Sequence, residues 1–368
     1  MKKLRFKISK GHPTPIRGDS QVYQDCVLGM CHDAEGKLWV TAGHSGYGHI
    51  GVFKGEDASA LKELYPAKGN FNFGVAGEAF CGSRYPDGPL SRGEYWGTGL
   101  WIDPESGRFH ALVHNETGWS AGSSAYTAFR QEDGEPDFRH IGYLISDDQG
   151  KTWDFVRWAI TAYEPCYTEK YQPDQLTGGQ FTGIINLGAG DLSVFYHEKE
   201  RALYLYYSML WYDMDDNHLA ADKVYCAKAT LGEDGLLSDF VKYCNGSFST
   251  AGNCGRESAI LTGGAEPCVA YSETIGRYIM TSYNRDSWVS GKPTLQVAYS
   301  DDLVTWSKPE LCVEKHAELS LPYYTVAGRN PKKAHNHLED TFDLLACSNN
   351  TDVLRFEVTV EAYEEDER

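Results

Sequence analysis

An eight-residue motif at positions 146–153, Ser-Asp-Asp-Gln-Gly-Lys-Thr-Trp, restricts the choice of fold more than any other part of the sequence. Asp148 can accept backbone N–H groups within a tight turn, and Gly150 can adopt the positive φ that such a turn needs. Trp153 then begins a returning strand, with its indole packed beneath the hairpin. A shorter copy at positions 300–306 keeps Ser-Asp-Asp and Thr-Trp but lacks the glycine. Two such hairpins predict an internal repeat.

The same unit recurs five times along the chain: an apolar strand, a tight turn with glycine or charged residues, and a second apolar strand. The first strands are predicted at residues 27–31, 99–102, 192–196, 268–271 and 323–327, and the second strands at 38–42, 109–113, 203–208, 278–283 and 342–347. Third strands are predicted at 49–53, 141–145, 223–227 and 295–299. Four antiparallel strands in each of five units predict an all-β fold, a five-bladed β-propeller of four-stranded antiparallel blades.

No linker divides the chain, so residues 1–368 are predicted to form one propeller domain. The terminal segments 4–8 and 353–360 alternate apolar and polar residues, and either close the ring or cap it. The 24 Tyr, 9 Trp and 38 Gly residues favour short strands and tight turns over helices. Long insertions at 65–92 and 163–182 are predicted to be loops over one face.

The formal net charge of −18 disfavours nucleic acids and anionic membrane surfaces as partners, because their phosphates would be repelled. The first ten residues carry basic side chains but no apolar run like that of a secretory signal. No stretch is long and apolar enough for a transmembrane helix. We therefore expect a cytoplasmic protein that binds neither nucleic acid nor membrane, and its oligomeric state is open.

Ten cysteines are scattered along the chain without a Cys-x-x-Cys pair: Cys26, Cys31, Cys81, Cys166, Cys226, Cys244, Cys254, Cys268, Cys312 and Cys347. Several lie inside apolar strand patterns, as at residues 26–31. This placement favours reduced, buried thiols over a disulfide framework, and a zinc site is less favoured still.

Acidic residues stand at the start of three of the five predicted first strands. In a propeller blade the innermost strand begins at one face, and its hairpin partner returns to that face. Asp25, Asp191 and Glu266 should therefore meet near the axis. Carboxylates that repel one another there have pKa values that are pushed apart, which is what acid–base hydrolysis of a glycosidic bond needs.

Further polar and aromatic residues flank the same strand ends and are candidates for substrate binding. They are His44, His114, Glu116, Trp96, Trp211 and Arg285. Imidazole, carboxylate and guanidinium groups can bind sugar hydroxyls or an acidic sugar, and indole rings can stack on sugar rings. Glu116 and Glu94 are also candidates for an acid that the second blade lacks, since Thr98 stands where an acid is expected.

These residues resemble motifs of the five-bladed propeller glycoside hydrolases, the arabinanase, xylosidase and invertase-like families related to family 43. Residues 24–27 are similar to the x-D-P-x element of the first blade, with Cys26 in place of proline, and Glu266-Pro267 is similar to the acid-proline start of another blade. Residues 190–194 followed by 203–208 resemble the blade pattern. The hairpin motif at 146–153 resembles the Asp-box of sialidases and other propeller proteins. The invertase elements W-M-N-D-P and R-D-P are absent from the sequence.

The resemblance implies a glycosidase that uses carboxylates at the propeller axis. It implies Asp25 as base or nucleophile, Glu266 as general acid, and Asp191 as a group that modulates a pKa and orients substrate; the last two roles are exchangeable. A cytoplasmic enzyme meets imported fragments, so the expected substrate is a small oligosaccharide. No cofactor is expected.

No metal ligand is assigned from the sequence, and a structural metal on the propeller axis is left open. Asp213, Asp215 and Asn217 alternate like ligands of a calcium loop, but the glycine and the final glutamate of an EF-hand are absent. The sequence therefore disfavours a calcium loop at this position.

Three alternative functions are weighed against hydrolysis. Thr98 in place of an acid favours a non-catalytic carbohydrate-binding propeller, whereas three acids at equivalent positions disfavour it. A glycoside phosphorylase would need a basic cluster for phosphate, for which Arg285, His44 and His114 are the candidates. A sialidase would need an arginine triad and usually six blades.

Overall fold

The computed structural model describes residues 2–17, 24, 26–45, 50–66, 94–116, 139–161, 184–213, 218–220, 222–284, 295–313, 317–319, 323–348 and 352–364. Within these ranges the regular structure is β-strand apart from two 3-10 segments, Glu198–Glu200 and Ala317–Leu319. No helix in the same ranges is long and apolar enough to cross a membrane.

The strands form five blades in chain order. The chain starts with β1 (Lys2–Ile8) and β2 (His12–Arg17), and blade one follows as β3 (Gly29–His32), β4 (Leu38–Ala42), β6 (Gly51–Gly55) and β7 (Lys62–Tyr65), with β5 (His44–Ser45) leading to the next blade. Blade two consists of β8 (Glu94–Ile102), β9 (Phe109–Glu116), β10 (Arg139–Ser146) and β11 (Asp154–Ile160).

Blade three is the largest of the five. It consists of β12 (Ile184–His197), β13 (Ala202–Asp213), β15 (Lys223–Thr230) and β16 (Val241–Cys244), flanked by β14 (His218–Ala220), β17 (Ser247–Ala251) and β18 (Leu261–Thr262). Blade four consists of β19 (Ala265–Ser272), β20 (Arg277–Tyr283), β21 (Leu295–Ser300) and β22 (Glu310–Leu311). Blade five consists of β23 (Tyr324–Gly328), β25 (Thr341–Ser348), β26 (Asp352–Glu364) and β1, and the short β24 (His337–Leu338) before β25 pairs with β19 instead.

The two ends of the chain close the ring. β1 pairs antiparallel with β26 over its whole length, from Lys2 opposite Glu364 to Ile8 opposite Val358. The outermost strand of blade five therefore comes from the beginning of the chain. This arrangement confirms that the alternating terminal segments pair with each other, and it selects closure of the ring over capping.

The innermost strands lie side by side around the axis. β3 contacts β8, β8 contacts β12, β12 contacts β19, and β19 contacts β23. The circle is completed where the N–H of Leu28 donates to Thr325 Oγ1 of β23 at 2.9 Å. Neighbouring blades cover both faces of the strands between them, so β4 and β21 are buried at every position. Burial on both faces explains why these strands have continuous apolar sequences instead of alternating ones.

The turn between β10 and β11 has the hydrogen bonds that its sequence predicts. Asp148 accepts the N–H of Thr152 at 2.8 Å and its hydroxyl at 2.7 Å, and Gly150 has a φ of 82°. The Trp153 side chain is fully buried. In the second copy Leu303 adopts a φ of 70° in place of the missing glycine.

Each of the two turn motifs forms an equivalent ion pair with an arginine, which the sequence analysis did not predict. Arg108, at the end of the hairpin before β9, donates through Nε and one terminal nitrogen to Asp147 at 2.7 and 3.1 Å. Arg277 does the same to Asp301 at 2.6 and 2.8 Å. Each motif is therefore fastened to the turn between the first and second strands of its own blade.

The eight cysteines in the described ranges are free thiols, and six of them are buried. Burial raises the pKa of Cys31 to about 12 and that of Cys268 to about 11. These side chains act as small apolar groups of the blade cores. Cys81 and Cys166 lie outside the described residues.

A buried ion pair joins blade three to blade two. Lys242 on β16 contacts Glu257, and their side chains are 0% and 1% exposed. The Lys242 ammonium also donates to the carbonyl oxygens of Thr161, which follows β11, and Gly255, each at 2.8 Å. Burial raises the pKa of Glu257, and the Lys242 charge opposes that rise.

We expect the substitution Lys242→Met to lower the free energy of unfolding by about 3–5 kcal/mol, because it leaves a buried carboxylate without its cation. Urea denaturation at neutral pH measures the change, and the double variant Lys242→Met/Glu257→Leu should recover part of the loss. Lys7 and Glu361 form an exposed pair, with 62% and 54% of their side chains accessible. Lys7→Met is the control and should cost less than about 1 kcal/mol; equal losses in both single variants would contradict the prediction.

The turn carboxylates predict loss of stability in acid. Burial alone would raise the pKa of Asp148, but the hydrogen bonds from Thr152 and Ser146 outweigh it and hold the pKa below its ordinary value of 3.8. A carboxyl group with a lowered pKa in the folded state stabilises the fold above its unfolded pKa, and this contribution is lost as the pH falls through the folded pKa. We expect Asp148→Asn to flatten the decline in unfolding free energy below about pH 4. The control Asp154→Asn replaces an exposed carboxylate and should keep the slope of unfolding free energy against pH that the parent protein has. Identical slopes for the parent and both variants would contradict the prediction.

Candidate active site

Three innermost strands carry a bulge at the same place, near the end where the strand begins. The register of β8 shifts between Gly97 and Gly99, that of β12 between Gly190 and Leu192, and that of β19 between Ala265 and Cys268. The residues within these shifts are Thr98, Asp191 and Glu266-Pro267. Bulges of this kind re-aim a side chain and are common beside active sites.

The sequence pattern predicts that the acids precede their strands. In the structure the acids lie within the strands. β8 begins at Glu94 and β12 at Ile184, because pairing with the second strand resumes on the other side of the bulge. In β19 Ala265 pairs with Tyr283 before the bulge. Pairing on both sides fixes the position of the bulged residue.

The backbone at both acids is in the left-handed region. Asp191 has a φ of 42° and Glu266 a φ of 55°, and Tyr323, just before β23, has a φ of 68°. This conformation costs a non-glycine residue about 1–2 kcal/mol. Such strain persists where the surrounding structure holds it, and it is concentrated at functional sites.

Blade two has no carboxylate at this position. Thr98 is 1% exposed, and its hydroxyl donates to the carbonyl oxygen of Leu112 at 3.4 Å. Blade two therefore retains the bulge, but its side chain there forms a hydrogen bond within the same blade. The two described acids lie on β12 and β19, which are neighbours around the axis.

Asp191 lies beside residues of blade two. Its side chain is 14% exposed, and Oδ1 is 3.7 Å from Nδ1 of His114 on β9. The His114 ring stacks on Trp96 of β8 with ring centroids 5.1 Å apart. Trp96 is 2% exposed, so in this structure its ring supports the histidine.

Glu266 is held from blade three. The residue is 6% exposed, and its N–H donates to Ser208 Oγ of β13 at 2.8 Å. Pro267 follows inside the bulge and has no N–H to pair. The serine thus fixes the strained glutamate backbone from the adjacent blade. Sequence reasoning did not select Ser208, which lies on a buried strand with no signal of a site.

Several predicted site residues are not described in full. Asp25 and Arg285 lie outside the described residues, and their roles stay predictions. For His44, Glu116 and Trp211 only the backbone is described. His44 pairs with Trp96, and Glu116 pairs with Glu94 and Arg139, so their backbones lie at the bulge end of blades one and two. Trp211 pairs with Asn186 at the corresponding end of blade three.

A concavity of about 560 Å³ lies at the opposite ends of the innermost strands. It is lined by the first turns of blades one to three and by residues 331–337. Asp33 accepts the indole N–H of Trp39 and Asp103 accepts the hydroxyl of Ser106, so both acids serve their own turns. This cavity is separate from the three bulges.

No group of three or more His, Cys, Asp or Glu side chains in the described ranges is arranged to hold a metal ion. The side chain of Asp213 and all of residues 214–217 are outside what the structure describes, so the calcium-loop alternative stays untested. The chemistry available in the described part of the site is that of carboxylates, an imidazole and hydroxyl groups.

The comparisons with known proteins give fold similarity without sequence similarity. No protein-family model matches the chain, and no curated protein matches it by sequence. Zg3597, a family 117 glycoside hydrolase produced by the marine bacterium Zobellia galactanivorans, aligns over 97% of this chain and 90% of that chain, with a TM-score of 0.53 and 12% identity.

Two other solved structures align with lower scores. A thermostable family-43 glycoside hydrolase covers 96% of this chain and 94% of its own, with 10% identity and a TM-score of 0.48. An endo-arabinase from Bacteroides thetaiotaomicron covers 96% and 99%, with 14% identity and a TM-score of 0.45. The fold argument rests on the first alignment, which spans nearly the whole chain and confirms the fold that the sequence resemblance implies.

We expect Ser208→Ala to lower the free energy of unfolding by about 1–3 kcal/mol, because the Glu266 N–H loses its acceptor in a buried position. Chemical denaturation measures the change. The matched control is Ser193→Ala on β12, since Ser193 is also buried, at 6% exposure against 0% for Ser208, and its hydroxyl has no hydrogen-bond partner in the described part of the structure. Ser193→Ala should change stability by less than about 0.5 kcal/mol; the reverse order of the two losses would refute the role of Ser208.

Proposed function

We propose that the protein is a glycoside hydrolase whose carboxylates act at the bulge end of the propeller axis. The observation that carries this proposal is the placement of Asp191 and Glu266 at equivalent left-handed bulges on neighbouring innermost strands. Hydrolysis of a glycosidic bond needs two carboxyl groups on opposite sides of that bond. Asp191 and Glu266, on adjacent blades, supply two carboxyl groups for this chemistry.

The environments of the two acids suggest different roles. Glu266 is the more buried of the two acids, and it is proposed as the general acid, as its acid-proline motif implies. Asp191 keeps 14% of its side chain exposed and lies against a histidine, which suits a group that orients substrate. Asp25 is proposed as base or nucleophile from its motif in the sequence.

The proposed substrate is a small oligosaccharide, and the proposed location is the cytoplasm. The name of the structural relative on which the fold argument rests, a family 117 glycoside hydrolase, supports a carbohydrate substrate. His44, Glu116, Trp211 and Arg285 are proposed to contact it. The net charge of −18 supports a neutral substrate over a phosphorylated one.

The test is the rate of cleavage of aryl glycosides and short oligosaccharides by the parent protein and by three variants, Asp25→Asn, Asp191→Asn and Glu266→Gln. We expect Asp25→Asn and Glu266→Gln to lose at least about 10²-fold in kcat, because loss of a general acid or base removes that much rate. Asp191→Asn should also lower kcat, by about 10²-fold, because the substrate is then misplaced. A weakly basic leaving group should restore Glu266→Gln more than the other two, since it needs no proton.

The controls separate the alternatives. Asp147→Asn and Asp301→Asn remove carboxylates from the turns at the far end of the blades and should leave the rate unchanged. Cleavage that requires phosphate would replace hydrolysis by phosphorolysis. Binding of a sugar without cleavage, at equal affinity in the parent and all three site variants, would support a non-catalytic propeller and end the proposal.

A further inference from the structure

The bulge at Asp191 is held by a side chain from the neighbouring blade. The N–H of Asp191 donates to Nδ1 of His114 at 3.3 Å. In an undistorted strand this N–H would point to its own partner strand, but the register shift between Gly190 and Leu192 removes that pairing. The imidazole of His114 therefore takes the place of a backbone acceptor.

The position of the imidazole is fixed from two sides. Trp96 stacks on one face, with an interplanar angle of 28°. Gly190 lies against the ring: a Cβ atom there would be only 2.4 Å from both Cε1 and Nε2 of His114. His114 is 2% exposed. A glycine immediately before the bulged acid is thus required for the histidine to reach it.

We propose that His114 is a positioning residue for the reaction: its Nδ1 accepts the Asp191 N–H, holds the left-handed bulge, and thereby fixes the Asp191 carboxylate at the axis. This inference rests on the proposed glycosidase function. It replaces the direct contact between His114 and substrate that the sequence suggests with an action through Asp191.

The hydrogen bond also selects one tautomer. Because Nδ1 accepts a proton from the Asp191 backbone, the neutral ring must carry its own hydrogen on Nε2. Nδ1 then has no hydrogen for the Asp191 carboxylate, although Oδ1 is only 3.7 Å away. The carboxylate oxygens are left for sugar hydroxyl groups, which is the function proposed for Asp191.

The kinetic test compares His114→Asn with His114→Leu. The Oδ1 atom of asparagine can occupy the position of Nδ1 and accept the same N–H, whereas leucine cannot. We expect His114→Leu to lower kcat by about 10²-fold, as a misplacement of about 1 Å can do, with KM within about threefold of the parent. Asn at this position should restore at least about tenfold of that loss.

The matched control is His110, on the same face of β9 and four residues earlier. It is fully buried, stacks on Trp101 at 4.8 Å between ring centroids, and bonds Tyr143 through Nδ1 at 2.8 Å. His110→Leu should lower the melting temperature as much as His114→Leu but leave kcat unchanged. Equal losses of kcat in the two leucine variants would mean that His114 acts only through folding.

A second variant moves the ring without removing it. Gly190→Ala places a Cβ atom where the imidazole lies, so it should lower kcat about as much as His114→Leu, again with little change in KM. An unchanged kcat in Gly190→Ala would overturn the proposal. If Asp191→Asn abolishes cleavage while His114→Leu does not, this inference fails and the proposed function stands; if Asp191→Asn cleaves normally, the proposed role of Asp191 fails.

A measurement without substrate tests the tautomer directly. The ¹⁵N spectrum of the labelled imidazoles, assigned with the His114→Asn variant, should show Nδ1 of His114 as the nitrogen without hydrogen in the neutral ring. Gly190→Ala should shift this resonance, and His110→Leu should not. A hydrogen on Nδ1 in the parent protein would refute the hydrogen bond on which the inference depends.

Discussion

The whole ring depends on the pairing of β1 with β26. A propeller blade is stable only between two neighbours, because each blade buries both faces of its strands against them. Blade five completes its four strands with residues from the start of the chain, so that the last blade cannot form before the first segment has joined it. The closure is a contact of very long sequence separation, which makes it a late and cooperative step of folding.

The closed ring fixes the position of the bulges, and the bulges select which side chains reach the axis. Asp191 and Glu266 are held in a strained conformation by groups from the preceding blade, His114 for one and Ser208 for the other. In both cases a side chain accepts a hydrogen bond from the N–H of the bulged residue, which lies within the register shift in the backbone pairing of its own blade. The same solution in two neighbouring blades indicates that the interface between blades, more than any single blade, holds the acids in place.

The blades could be predicted from the sequence, but the bulges in their innermost strands could not. Apolar runs and paired turn motifs locate the strands, since burial on both faces leaves a continuous signal. A bulge interrupts that signal, so residues 95–98 and 190–191 are predicted to precede a strand although pairing continues through them. Asp191, Glu266 and His114 could be selected by residue type and position. Their contacts could not, because Ser208 and Gly190 look like ordinary strand residues until two blades are brought together.

The buried thiols are natural reporters of local opening of the blades. Cys31, Cys226, Cys268 and Cys347 lie in blades one, three, four and five, and each is buried. A neutral, inaccessible thiol reacts with an alkylating reagent only when its surroundings open. The rate at which each of these cysteines is alkylated would therefore rank the blades by their resistance to opening, and it would tell whether the ring opens at the terminal closure or unfolds as one unit.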